Sequence, residues 1–416
     1  MRPLAVLAGL FFIIGFVTWL NGPLITFVQV AFGLGPVGAF LVPLCFYLSY
    51  FFCALPAMAL ARRTGLLHGI VAALVIMAGG TWGFGECGGR RWYPGALAGL
   101  SVLGAGLTLL QVTVNPYVTL LGAAQHAARR IAIMGIANKV SGIIAPVVFS
   151  IWVMRNIGGV ASRLAMAGSP QARAPVLTAF AHAVVGPYRI MALILLLVAV
   201  GLRRAGLPDL RLSGAPAARS SGTALLPAHM GARAWAGVGV VFVYVGAEVM
   251  AGDGIGLYAG HLGLSLGQVR FLTALTLAAM LCGYVIGTVV VPVVFSQMGY
   301  LALSAILGMG LCLAAVLTQG MGSVLCVALF GLANAMMMPI LFPLVLRLAG
   351  RWQAQATAVL VMAFAGGGVM PQVFAALIPC VGVKAAFMGL MMLSYAAVLL
   401  YALALQRGTV GLEEGA

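Results

Sequence analysis

The chain has 416 residues, of which 63% are apolar and 7% charged, with a net charge of +16. Soluble domains carry about 25% charged residues, and six acids (Glu86, Asp209, Glu248, Asp253, Glu413 and Glu414) cannot solvate the surface of a soluble protein this long. That composition excludes a soluble enzyme, a disordered chain and a secreted disulfide scaffold; continuous, non-alternating apolar runs exclude a β-barrel.

The apolar runs predict an all-α integral membrane protein with twelve transmembrane helices. A span needs roughly 20 apolar residues. In chain order the predicted spans are 4–30, 37–60, 66–85, 94–121, 131–154, 186–206, 234–260, 269–295, 300–319, 323–347, 355–378 and 385–405. The N-terminus reads as an uncleaved first span, because no small-residue cleavage site follows its apolar run. Residues 155–185, Ala-rich with Arg155, Arg163 and Arg173, read as a long loop. Residues 207–233, with Pro208, Asp209, Pro216, Ser220 and Ser221, read as a flexible linker. The expected organisation is therefore a six-helix bundle over 1–206, a cytoplasmic linker over 207–233, and a second six-helix bundle over 234–416. With both termini inside, thirteen basic residues fall on the cytoplasmic side and eight outside, the bias that the positive-inside rule describes. The 22 basic residues are scattered in ones and twos, so the bilayer, not nucleic acid, is the expected partner.

An internal repeat supports two bundles. Asn115-Pro116, Arg129-Arg130 and Pro146 in the fourth and fifth spans match Asn334, Pro339, Arg347, Arg351 and Pro371 in the tenth and eleventh. Matching interruptions in two halves point to a transporter with its site between them; major facilitators are a worked example of that rule.

Polar groups inside spans carry the functional information. Lys139, Glu248 and Asp253 are the three ionisable residues well inside spans, each costing roughly 2.5–3.5 kcal/mol at mid-bilayer. Such acids bind substrate or a coupling cation, or Glu248 pairs with a base such as Lys139 and ties the halves together. Gly252 and Gly254 flank Asp253, and unwinding there would free backbone carbonyls. The first, fourth, seventh and tenth spans each carry a polar break: Asn21-Gly22-Pro23, Gln111 with Asn115-Pro116, Glu248 with Gly252-Asp253-Gly254, and Asn334 with Pro339. Irregular backbone at membrane depth belongs beside a cavity or buried in protein. Uncharged amides that both donate and accept suit a polyhydroxylated ligand, or bond between helices. Trp19, Tyr117, Tyr244 and Tyr258 lie near these breaks as stacking faces or packing.

Enzyme readings fail. A second intramembrane Asp for an aspartyl protease is missing, no His lies deep in a span for a rhomboid-type site, and there is no P-loop. No Cys or His spacing predicts a metal site.

Several stretches together resemble a known family. Phe16-Val17-Thr18-Trp19-Leu20-Asn21-Gly22-Pro23-Leu24, Asn115-Pro116-Tyr117, Ile133-Met134-Gly135-Ile136-Ala137-Asn138-Lys139, Tyr244-Val245-Gly246-Ala247-Glu248-Val249 and Gly331-Leu332-Ala333-Asn334-Ala335 are similar to the glucose/galactose branch of the fucose–proton symporter family, in the major facilitator superfamily. The resemblance covers nearly the whole chain. It implies a secondary sugar importer of the bacterial inner membrane. Fucose-specific members carry an acid just after the first-span Asn, where this chain has Gly22, and another in the fourth span, where it has Gln111; their fifth-span Asn matches Asn138.

The reading that follows is a monomeric, cation-coupled hexose importer working by alternating access, with no cofactor beyond a coupling proton or sodium ion. Asn21, Gln111, Asn115, Asn138, Asn334 and Tyr244 are the expected sugar ligands, and Glu248 and Asp253 the expected coupling acids. The alternatives are an exporter of a small polar or cationic compound and a non-transporting sugar sensor.

Overall fold

In the computed structural model, residues 2–120, 127–167, 169–205, 230–291 and 293–413 are described. Among them twelve helical segments are long and apolar enough to cross a membrane: Leu4–Phe32, Leu41–Thr64, Leu66–Gly89, Tyr93–Asn115, Ile133–Trp152, Pro170–Arg204, Ala232–Asp253, Leu266–Val290, Gln297–Leu317, Gly320–Leu348, Gln355–Val381 and Val383–Arg407. The predicted twelve spans are all present. Most of the linker, residues 207–229, lies outside the described residues.

The segment expected to be a loop between the fifth and sixth spans is helical instead. It forms the helices Ile157–Met166 and Pro170–His182. Alanine has the highest helix propensity, and here it outweighs the polarity that suggested a loop. The second helix is also well started. Ser169 Oγ accepts from the Ala172 N–H at 3.2 Å, and Pro170 takes a first-turn position where its missing N–H costs nothing. Phe180 holds this helix against Phe27 of the first span, ring centroids 5.2 Å apart.

Two spans break where proline chemistry requires. The first span stops at Thr18 and restarts at Asn21; the tenth stops at Asn334 and restarts at Met337. A helical proline clashes with the carbonyl four residues earlier. Pro23 and Pro339 thus disrupt the turns at residues 19 and 335, one turn ahead of each ring. The other expected interruptions differ. The helix Tyr93–Leu120 runs on through residues 115–116, and Ala127–Trp152 accommodates Pro146. The eleventh span breaks at 364–365, ahead of Gly366-Gly367-Gly368.

Among the contacts that join the bundles, two ties lie toward the membrane side remote from the termini. Between the second and eleventh spans, Phe40 packs on Phe374 with centroids 5.9 Å apart, and Gln372 Nε2 donates to the Val37 carbonyl at 3.3 Å. Between the fifth and eighth spans, Ser150 Oγ donates to the Arg270 carbonyl at 2.7 Å, and Arg270 Nη1 donates to the Met154 carbonyl at 3.2 Å. An apolar groove of about 290 Å³ is lined by Phe12, Phe16, Trp152 and Ile194.

Within a bundle, small residues let helix backbones approach. A Cβ at Gly99 would lie 2.9 Å from Phe84 Cα, whereas one at Gly79 would meet nothing within 4 Å. Gly99→Val should therefore lower stability by about 1–3 kcal/mol through overpacking, while Gly79→Val stays near neutral. Thermal melts of the two detergent-purified variants check this; equal melting temperatures would contradict the packing of the third and fourth spans.

Candidate functional site

The break in the first span turns Trp19 toward the second bundle. Its side chain is buried, wedged between Gly142 of the fifth span and Gly252 of the seventh. A Cβ at either glycine would come within 2.6 Å of the indole. Leu277, Met280 and Ala335 of the second bundle close around the ring.

Lys139 stands beside it. Its Nζ lies 5.1 Å from a Trp19 ring centroid and 5.5 Å from that of Tyr284, within reach of a cation–π attraction. The same ammonium donates to Glu248 Oε1 at 3.1 Å, with the two side chains 9% and 13% exposed. This ion pair joins the fifth span to the seventh, hence one bundle to the other. Removing one partner of a buried pair costs roughly 3–5 kcal/mol.

Asp253 lies one and a half turns further along the seventh span and is solved differently. It is 1% exposed, and no side chain hydrogen-bonds or pairs with its carboxylate; the Gly22 main chain is its nearest polar group. Its carboxylate lies against Gly22: a Cβ there would be 3.0 Å from Asp253 Oδ1 and 2.5 Å from Thr273 Oγ1. The backbone at this point bends and does not unwind. Gly254 keeps helical angles, φ −79° and ψ −17°, and its N–H still bonds the Met250 carbonyl at 3.0 Å. The helix Ala232–Asp253 ends here and Ile255–His261 begins, so the expected interruption is present as a bend at Gly254 rather than as a fully unwound turn. The Ala251 carbonyl does accept from Thr276 Oγ1 of the eighth span, at 3.3 Å.

The expected sugar ligands are dispersed. Asn21 is buried with its Nδ2 unpartnered. Asn334 is buried in the second bundle, where its Oδ1 accepts from the Tyr395 hydroxyl and its main-chain oxygen accepts from the Tyr244 hydroxyl, each at 3.0 Å. Gln111 Nε2 donates to the Tyr50 hydroxyl at 2.8 Å, and Asn138 Nδ2 to the Phe11 carbonyl at 3.3 Å. Asn115 is half-buried on the fourth span. The structure thus brings Glu248 to Lys139 and Trp19, and Asp253 to Gly22, while Gln111 and Asn138 bond within the first bundle. Sequence reasoning missed Tyr284, Thr273, Tyr50 and Tyr395. For the tyrosines the available signal was a hydroxyl deep in an apolar run, which needs a partner when buried.

Asn334→Ala leaves the buried Tyr395 hydroxyl without its acceptor, a loss of about 1–3 kcal/mol. A lowered melting temperature in detergent is expected; an unchanged one would mean that another acceptor replaces Asn334.

Comparison with known proteins agrees with this architecture. The chain is 30% identical to the glucose/galactose transporter of Brucella abortus over 399 residues, covering 95% of this chain and 92% of that one. It is 28% identical over 380 residues to the L-fucose-proton symporter of Escherichia coli, with 89% and 85% covered. Among solved structures, the major facilitator superfamily transporter FucP, in the outward conformation, aligns with a TM-score of 0.75 and 26% identity over 97% of this chain and 98% of that one. No family model matches. The chain belongs to the glucose/galactose branch of the fucose–proton symporter family. It is a major facilitator superfamily transporter, not an enzyme, and a multi-pass protein of the bacterial inner membrane. Its twelve spans follow the superfamily architecture, and Trp19, Lys139 and Glu248 mark where its two bundles meet.

Proposed function

We propose that the chain imports a hexose of the glucose or galactose type, coupled to a cation moving down its gradient. The names of its relatives support the sugar class: glucose/galactose transporter and L-fucose-proton symporter. The termini and the 207–233 linker lie in the cytoplasm in this reading, on the Arg bias of the loops. The two ties between the bundles then close the periplasmic side. The protein works as a monomer with two bundles.

The observation that carries the coupling is Asp253. An ionised carboxylate buried without partners costs several kcal/mol, so a proton or a sodium ion must neutralise it before the bundles close over it. The carboxylate lies against Gly22, the position at which fucose-specific members of the family carry their first-span acid. Asp253 therefore offers a cation the same place in space from a different helix. Thr273, whose hydroxyl faces the same glycine, supplies a further oxygen. Glu248 is the second acid of the seventh span, held by Lys139 in the closed arrangement. The amides and phenol of Asn21, Gln111, Asn115, Asn138, Asn334 and Tyr244 supply donors and acceptors for sugar hydroxyls as the bundles part.

Asp253→Asn keeps size and hydrogen bonding but not charge. It should abolish gradient-driven accumulation of hexose in proteoliposomes while sugar exchange continues at a reduced rate. Full accumulation by the variant would move the coupling to another residue. Loss of exchange together with accumulation would make Asp253 a sugar ligand or a structural residue.

A further inference from the structure

We infer that Lys139 and Glu248 grip the sugar from opposite bundles, and that they grip each other when no sugar is present. This rests on the hexose reading above and gives a role to a lysine that the coupling argument leaves unused.

The pair joins the fifth span to the seventh across the bundle interface, at 3.1 Å and nearly out of water. Alternating access moves the bundles against one another around a site between them. Parting them strips both charges of their partner at the moment the site opens. Reclosing over an empty site restores the pair. Reclosing over a bound solute requires that the solute satisfy both charges, because each stranded charge is costly. A sugar does this without carrying charge: one hydroxyl oxygen accepts from the ammonium while another hydroxyl donates to the carboxylate. Hydrogen bonds to charged groups are about twice as strong as neutral ones.

The surroundings fit the same ligand. Trp19 and Tyr284 present their rings to the ammonium, and the C–H face of a pyranose packs on such rings while its rim hydroxyls reach the charges. The choice of base fits as well. Of the chain's 22 basic residues only Lys139 and Lys384 are lysines. A guanidinium locks onto a carboxylate through a rigid fork, whereas an ammonium on a flexible stem turns its three donors to a new partner. A group that alternates between Glu248 and a hydroxyl needs the second behaviour.

The test compares binding of radiolabelled D-galactose and D-glucose, and melting temperature, for the full-length protein and two variants. Lys139→Gln/Glu248→Gln removes both charges together, so neither is stranded. It should melt within a few degrees of the parent yet bind sugar roughly tenfold or more weakly, the loss expected from hydrogen bonds to charged groups. Lys139→Arg keeps the charge and the ion pair, so it serves even if the double variant fails to fold; it too should lose tenfold or more in affinity at near-parental stability. Parental affinity in a folded variant of either kind would overturn the inference and leave the pair as a tie between the bundles. If the parent protein itself binds neither hexose, the hexose reading fails first and this inference falls with it.

Discussion

A charge buried in a membrane-spanning bundle needs a counter-charge, because its desolvation costs several kcal/mol. The two acids of the seventh span meet that constraint in opposite ways. Glu248 has Lys139 at 3.1 Å. Asp253, more deeply buried, has no counter-charge and no side-chain partner, only the Gly22 main chain beside it. A paired acid is a tie between bundles, and an acid without a counter-charge is costly to close over while ionised. Under the proposed coupling, having both on one helix would let the same rigid movement act on sugar contacts and on the cation together.

The interface that carries these charges is built from small residues. Gly142 and Gly252 receive the Trp19 indole, and Gly22 receives the Asp253 carboxylate. Between the second and eleventh spans, Gly367 and Gly368 lie against Tyr47 and Leu44. Glycine gives flat surfaces that separate and re-form without interlocking, which suits bundles that must part and rejoin. The polar ties are three hydrogen bonds, Ser150 to Arg270, Arg270 to Met154 and Gln372 to Val37, worth about 0.5–1.5 kcal/mol net each, or about 1.5–3 for the one from the guanidinium. Bonds of that size close a side of the molecule without locking it.

Much of this was legible in the sequence, and the parts that were not have definite causes. The twelve spans follow from hydropathy alone, because lipid demands continuous apolar surface. Prolines 23 and 339 announced two breaks, though each falls one turn earlier than the ring itself. The helices between the fifth and sixth spans were misread because their exposed faces are polar, which hides helical propensity behind loop-like composition. The pairing of Lys139 with Glu248 was one of two readings that spacing allowed; choosing between them required knowing that the fifth and seventh spans meet. Tyr284 and Thr273 could not have been assigned, since their partners come from other spans and leave no local pattern. The partners of the amides were not legible either. Gln111 and Asn138 spend their hydrogen bonds inside the first bundle, an outcome that composition cannot distinguish from ligand binding.

Coupled import requires that sugar and cation move together. Uptake of radiolabelled D-galactose and D-glucose into proteoliposomes, under an imposed inward proton or sodium gradient, tests it directly. Accumulation of a hexose above its external concentration, lost when the gradient is collapsed, is the predicted result. Uptake that stops at equilibrium and ignores both gradients, or no hexose uptake at all, would contradict it.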